Sequence, residues 1–222
     1  MPVIQTFILQ FANEISPQEI PFFRGAVIAS LKEKDVWFHN HVIDGVVYRY
    51  PRIQYKRIHR KAAIVCINEG IGAINELFNC SNFNYKIGNR DVEMQMESAR
   101  TFNNDIGFCK ESRKYRLTNW LPLNSDNYNT YQAIEGLADR IKFLEEKLIG
   151  NLLAFFTETG FHAEERIVLG ITAITAQRLT RYKEVRLMAF DIEFKANLTL
   201  PQYIGIGKSA SIGYGTLTRI TN

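Results

Sequence analysis

Two histidines separated by one residue, His39 and His41, are the side chains of this sequence best suited to proton transfer. If the segment is extended, both imidazoles point to the same face, because side chains alternate along a strand. Histidine titrates near neutral pH, so one imidazole can accept a proton while the other donates one. Attack of a ribose 2′-hydroxyl on the adjacent phosphate needs such a base and such an acid. The pair is therefore suited to proton transfer in a reaction of this kind, and half of a zinc site or a structural pair in a polar loop are the alternatives.

The segment that follows, Tyr48–Lys61, is basic and rich in tyrosine and contains no carboxylate. Its cations can neutralise phosphates, and its tyrosine rings can stack on unpaired bases. This composition favours a polyanionic partner over the alternative, a solvated basic face of a hairpin. The candidate RNA-binding and support residues are Tyr48, Arg49, Tyr50, Arg52, Tyr55, Lys56, Arg57, Arg60 and Lys61.

A glycine-rich segment near the end of the sequence, Gly205–Gly215, contains two Gly-hydrophobic-Gly pairs with five residues between them. Glycine lacks a side chain, so its backbone N–H groups can closely approach an anion, and a lysine in the spacer adds a positive charge. We predict that this loop binds an anion such as a phosphate, and a glycine-rich hairpin turn is the alternative. The loop residues predicted to contact RNA are Gly205, Gly207, Lys208, Ser209, Gly213 and Gly215.

The glycine pattern resembles the loop of the CRISPR-associated RAMP proteins, in particular the endoribonucleases that process precursor CRISPR RNA at its repeats. The two histidines after the first predicted helix, before the basic segment, resemble the two-histidine branch of these enzymes. The resemblance implies metal-independent cleavage within repeats that leaves 5′-hydroxyl and 2′,3′-cyclic phosphate ends. It implies that His39 and His41 are catalytic and makes Tyr48, Tyr50 and Lys56 candidate support residues. The alternatives are a non-catalytic RNA-binding RAMP subunit of an interference complex and an unrelated ferredoxin-like binding module.

Composition limits the cofactors and the cellular location. The sequence has no paired or clustered carboxylates suited to two metal ions, so we expect neither a metal site nor another cofactor. Three cysteines without a CxxC pair, and the lack of a signal peptide or long apolar run, favour a cytoplasmic protein that does not enter a membrane. Repeat RNA is the expected partner, and other interference-complex subunits or a second copy of the chain are further candidates.

The elements that must position these residues follow a pattern seen twice. The first half predicts a β-α-β-β-α-β order, which is ferredoxin-like. Its predicted strands are Val3–Phe11, Val46–Ile58, Ala62–Ile67, Phe83–Ile87 and Val92–Met96, and its predicted helices are Ser16–Lys32 and Glu69–Phe78.

The second half repeats the pattern with less helix, and the polar segment Thr101–Lys114 predicts the connection between the halves. This pattern is compatible with two tandem ferredoxin-like domains, and the resemblance implies that architecture. We therefore predict, on the resemblance, an α+β protein with two such domains, residues 1–105 and 112–222. The second half's predicted elements are strands Tyr115–Leu121, Arg166–Ala176, Glu184–Phe194 and Thr216–Ile220 and one long helix, Tyr131–Thr159.

Overall fold

The computed structural model describes residues 2–31, 41–42, 45–46, 50–182 and 185–221, and only the backbone of residues 41–42, 45–46, 181–182 and 185. The chain divides into two compact units. One unit contains Val3–Asn104 together with Ser211–Gly213, and is called the N-terminal unit below. The C-terminal unit contains Asp105–Ala210 and Tyr214–Asn222, with Met1–Pro2.

The N-terminal unit has the predicted ferredoxin-like order. Its sheet has the strand order β4-β5-β1-β8, in which the first strand lies between the third and the fourth. The elements are β1 (Val3–Glu14), α1 (Ile20–Ala29), β2 (His41–Val42), β3 (Gly45–Val46), β4 (Ile53–Ile58), β5 (Lys61–Ile67), α2 (Gly70–Cys80), β6 (Asn84–Ile87), β7 (Arg90–Glu93) and β8 (Met96–Asp105). Strands β2 and β3 form one small hairpin, and β6 and β7 form another.

Local sequence explains how α1 begins. Ser16 and Glu19 form a capping box, with Pro17 at the first position of the short 3-10 turn that leads into the helix. The buried face of α1 then packs Phe23 edge-on against Phe11 of β1 and Tyr55 of β4, with ring centroids 5.8 Å apart in each pair. This aromatic contact anchors α1 on the sheet. It therefore determines the position of the C-terminal end of α1, after which the sequence continues toward His39.

The C-terminal unit repeats the same sheet order, β10-β11-β9-β12. Its elements are β9 (Gly107–Trp120), α3 (Ser125–Ala133), α4 (Leu137–Glu158), β10 (Leu169–Tyr182), β11 (Val185–Thr199) and β12 (Thr216–Arg219). Between β11 and β12, where a ferredoxin-like domain has its second helix, this unit has the glycine-rich segment. The predicted fold class, two ferredoxin-like domains in tandem, is confirmed.

Several element boundaries differ from the prediction. The polar segment Thr101–Lys114, predicted as a connection, consists largely of the end of β8 and the start of β9. The single long helix predicted for Tyr131–Thr159 is two helices, α3 and α4, separated at Ile134–Gly136. The strand predicted over Val46–Ile58 is confined, in its described part, to Gly45–Val46 and Ile53–Ile58.

Candidate functional site

The structure describes the histidine pair only in part. His39, Tyr48 and Arg49 lie outside the described residues, and His41 is described by its backbone alone. His41 begins β2 and pairs with Val46 of β3, so its backbone is extended. The prediction that both imidazoles share one face stays a prediction.

Two predicted site residues on β4 are fully buried. Tyr55 lies in the core of the N-terminal unit, where burial raises the pKa of its phenol above the ordinary value. Its hydroxyl has no hydrogen-bond partner within the described part of the chain. Lys56 is also completely buried, and this burial lowers the pKa of its ammonium group to about 7. Neither side chain is therefore accessible to RNA in this structure.

Carboxylates from elsewhere in the chain pair with the basic segment. Arg52 forms an ion pair with Glu69 at 3.2 Å, Arg60 pairs with Glu14 at 3.1 Å, and Lys61 pairs with Glu97. Arg57 instead donates from Nε to the backbone oxygen of Ile15 at 2.6 Å. The segment is therefore less positive in the fold than in the sequence. Arg60 keeps the most exposure of the three paired cations, at 70% of its side chain, while Tyr50 is half-buried.

The glycine-rich segment adopts backbone conformations that favour glycine. Gly207 and Gly213 have φ of +87°, and Gly215 has φ of +59°. Backbone bonds close the loop at its base, where the N–H of Ile206 donates to the oxygen of Gly215 at 2.7 Å and Gly205 bridges Thr216. The loop is therefore a closed structure with its own hydrogen bonds, continuous with β12.

Three of these glycines lie against atoms of the protein itself. A Cβ atom on Gly215 would lie 1.9 Å from the backbone oxygen of Ile206. A Cβ on Gly207 would lie 2.6 Å from Oδ1 of Asn151, and one on Gly213 would lie 2.6 Å from Cδ1 of Ile20. These glycines are thus explained by the packing of the loop, and close approach to RNA is not needed to account for them.

Lys208 and Ser209 form the turn between the two glycine pairs. Lys208 is exposed and Ser209 is half-buried, with a φ of +61°. An exposed ammonium beside a hydroxyl can bind a phosphate oxygen through charge and hydrogen bonding together. These two residues are the loop side chains best placed to contact an anion.

The segment Ser211–Gly213 belongs to the N-terminal unit by its contacts. The N–H of Tyr55 donates to the backbone oxygen of Ser211 at 2.8 Å, and Ile212 forms a parallel bridge with Tyr55. The segment thus lies alongside β4, the outermost strand of its sheet. The sequence pattern did not predict this contact, because the bonded residues are far apart in the chain.

A polar network in the C-terminal unit holds the other end of the loop. Arg178 of β10 donates to both carboxylate oxygens of Asp191, at 2.8 and 2.9 Å. Asp191 accepts the N–H of Asn119 at 2.7 Å, and the backbone oxygen of Asn119 accepts the N–H of Gly215 at 3.1 Å. Asn119 has a positive φ of +53°. Sequence reasoning missed these residues, since no local motif links them.

The remaining histidines, His59 and His162, are not part of a metal-binding group among the described residues. Within the ranges that the structure describes, no group of three or more His, Cys, Asp or Glu side chains is arranged to hold a metal ion. His59 is exposed in the β4–β5 turn, and His162 is exposed after α4. A search of the described helices finds none that is long and apolar enough to span a membrane.

Comparison with known proteins gives the family. The Cas6b N-terminal domain matches residues 2–104, and the Cas6b C-terminal domain matches residues 107–220. One crystal structure of Cas6b shares 25% identity and a TM-score of 0.89, covering 99% of this chain and all of that one. A crystal structure of the CRISPR RNA processing endoribonuclease Cas6b also shares 25% identity, with a TM-score of 0.76 over 99% of this chain and all of that one.

Two further proteins are similar to this chain, one by sequence and one by fold. An uncharacterized protein of Methanocaldococcus jannaschii is 27% identical over 139 residues, which is 59% of this chain and 93% of that protein. Csf5, a type IV CRISPR-Cas crRNA endonuclease, shares the fold with a TM-score of 0.61 at 12% identity, over 98% of this chain and all of Csf5. Because the two halves of this chain match the N-terminal and C-terminal domains of Cas6b, the chain belongs to the Cas6b family.

Proposed function

We propose that this protein is an endoribonuclease that cleaves precursor CRISPR RNA within its repeats to give mature guide RNA. The observation that carries the proposal is its similarity, over 99% of its length, to a solved CRISPR RNA processing endoribonuclease of the same family. The two-histidine segment of the sequence supports a catalytic rather than a purely RNA-binding role, because a binding subunit needs no such pair.

The proposed mechanism needs no metal ion. One histidine of the His39–His41 pair accepts the proton of the ribose 2′-hydroxyl, and the resulting oxygen attacks the neighbouring phosphorus. The bond from phosphorus to the 5′-oxygen breaks, and the other histidine protonates that oxygen as it leaves. The products are a 2′,3′-cyclic phosphate and a 5′-hydroxyl. Which histidine is the base and which is the acid is left open.

Several exposed or half-exposed groups are proposed to hold the RNA. Lys208 and Ser209 lie at the turn of the glycine-rich loop, and Arg60 is the most exposed of the ion-paired cations in the basic segment. A phosphate can replace Glu14 as the partner of Arg60, because that ion pair lies at the surface and contributes little to stability. Tyr50 offers a half-exposed ring for stacking, and Arg49 is proposed from the sequence alone.

The test is cleavage of a cognate repeat RNA by the purified protein. We expect unchanged cleavage in excess EDTA and a 2′,3′-cyclic phosphate on the upstream product. A repeat with a 2′-deoxy sugar at the cut site should bind and stay intact, because the attacking hydroxyl is absent. His39→Ala and His41→Ala should each slow cleavage by about 10²–10⁴-fold, the usual contribution of a positioned acid or base.

His162→Ala is the matched control, since His162 is an exposed histidine outside the pair. It should cleave at the wild-type rate. If both variants of the pair also cleaved at that rate, the histidines would be structural and the mechanism would be wrong. A protein that binds repeat RNA tightly without cutting it would instead be the non-catalytic RAMP subunit.

A further inference from the structure

A groove lies between α1 and the β6 strand, entirely within the N-terminal unit. It encloses about 680 Å³, a volume within the range of about 300–1,000 Å³ typical of small-ligand sites. One wall is formed by α1, from Pro21 to Ala29, and by Ser30 just after it, and the other is formed by the end of α2 and by β6. The groove reaches the C-terminal end of α1, from which the chain continues to the histidine segment.

Small residues on α1 keep the groove open. Gly25, Ala26 and Ala29 line it, and a Cβ atom on Gly25 would meet no atom within 4 Å. Phe22 lies at the same wall with 55% of its surface exposed, although phenylalanine is usually buried. The wall thus combines an accessible aromatic ring with empty space beside it, which suits the insertion of a flat group.

The opposite wall carries uncharged hydrogen-bonding groups. Asn82 and Asn84 line it, and Oδ1 of Asn82 accepts the N–H of Asn84 at 3.0 Å, so the Asn82 amide directs its NH₂ group elsewhere. The hydroxyl of Tyr85 shares a hydrogen bond of 2.8 Å with Oγ of Ser81. Lys86 adds the only charge among the described lining residues, and no carboxylate is present there.

We infer that this groove binds an unpaired nucleotide of the repeat RNA. Single-stranded RNA is recognised by stacking of its bases on aromatic rings and by hydrogen bonds from side-chain amides to base edges. Phe22 provides the ring, Asn82 and Asn84 provide the amides, and Lys86 provides a cation for the phosphate. A docking protein would instead bury a broad apolar surface, whereas the apolar part of this groove is limited to one face of α1.

This inference rests on the proposed function, since it takes repeat RNA as the ligand. Its test is a comparison of two helical glycines. Gly25→Leu fills the groove, and Gly72→Leu is the matched control, because Gly72 of α2 is exposed and its Cβ would also meet no atom within 4 Å. Both changes favour helix formation, so both variants should fold. With the uncleavable 2′-deoxy repeat, Gly25→Leu should weaken binding by about tenfold and Gly72→Leu should not.

Phe22→Ala provides a second measurement that does not depend on filling the groove. It should weaken binding of the same RNA by about tenfold, the usual effect of losing one stacked base. Phe102→Ala removes a comparably exposed ring on β8 and should leave binding unchanged. Equal affinities for Gly25→Leu, Phe22→Ala and their controls would overturn the inference. A wild-type protein that binds the RNA without cleaving it would overturn only the proposed catalysis, because the groove is tested by binding.

Discussion

A buried lysine in the middle of β4 makes the stability of this protein depend on pH. Lys56 has an ordinary pKa of 10.5 when exposed, and burial lowers it to about 7 in the fold. Between these two values the unfolded chain binds more protons than the folded chain, so the free energy of unfolding rises with pH. The destabilisation is complete below about pH 7 and is relieved as the pH rises toward 10.5.

Lys56→Met should remove this pH dependence. Methionine has a similar length and no charge, so the stability of the variant should not follow the titration of residue 56. The stability of the wild type relative to the variant should rise by up to about 1.4 kcal/mol per pH unit as the pH rises from about 7 to 9. Urea unfolding of both proteins across this range measures it. Parallel stability curves would show that Lys56 is not titrating in the fold.

Comparing Gly215 with Gly160 distinguishes two reasons why a position requires glycine, backbone strain and steric clash. Both have a positive φ, +59° and +76°, but a Cβ would clash with Ile206 only at Gly215 and would meet no atom within 4 Å at Gly160. Gly160→Ala should therefore cost about 1–2 kcal/mol from backbone strain alone. Gly215→Ala should cost at least about 1 kcal/mol more, because the backbone of the loop must move. Equal losses in thermal or urea unfolding would mean that the loop accommodates the methyl group.

Residue patterns singled out the two histidines and the glycine-rich segment as candidates, but they did not predict the environment of each residue. The acid-free basic segment suggested a strongly positive surface, yet Glu14, Glu69 and Glu97 pair with it from distant positions in the sequence. Alternation along a strand likewise could not reveal that both Tyr55 and Lys56, on opposite faces of β4, are buried. Such burial depends on what packs against each face of the sheet, which no local pattern encodes.

Within the C-terminal sheet, the Arg178–Asp191 pair is expected to position the glycine-rich loop through Asn119. Asp191→Asn should weaken this pair and speed hydrogen exchange at the Gly215 amide, which donates to Asn119. If the loop holds RNA, affinity should fall as well. Glu193→Gln is the matched control, because Glu193 lies two residues along β11 and pairs with Lys114 and Arg116 instead. Equal exchange at Gly215 in both variants would exclude the positioning role.

Apolar periodicity predicted the helix α4, but it predicted neither where α4 begins nor that β8 is a strand. The apolar stripe of α4 predicts a helix, but the predicted helix also includes Ile134. The backbone of Ile134 is extended, with ψ of 118°. The chain turns there and α4 begins after Gly136, with the N–H of Arg140 donating to the Gly136 oxygen. Strand β8 gave no signal, because nearly all of its side chains are exposed and polar residues dominate it.

For the molecule as a whole, the glycine-rich loop links a late part of the sequence to an early one. Gly213→Ala strains a residue with φ of +87° and places a methyl group against the side chain of Ile20, so Ser211–Gly213 should be held less firmly against β4. Hydrogen exchange at the Tyr55 amide, which donates to Ser211, should then accelerate by at least about tenfold.

The Ile67 amide provides the internal control for this experiment. It donates to the backbone oxygen of Arg52 at 2.8 Å, within the same sheet and independently of the loop. Its exchange should not change in Gly213→Ala. Acceleration at both amides would indicate general loosening of the N-terminal unit, and acceleration at neither would show that the loop does not protect β4.

The contact between Ser211–Gly213 and β4 also sets an order of events during translation. The ribosome makes the N-terminal half first, and nascent domains generally fold as they emerge. The Tyr55 amide on the outer edge of β4 bonds to Ser211, which is synthesised only after all of residues 105–210. An open strand edge is a site for pairing with other chains. If synthesis stops anywhere in residues 105–210, the released polypeptide has an N-terminal unit that lacks Ser211–Gly213 beside β4.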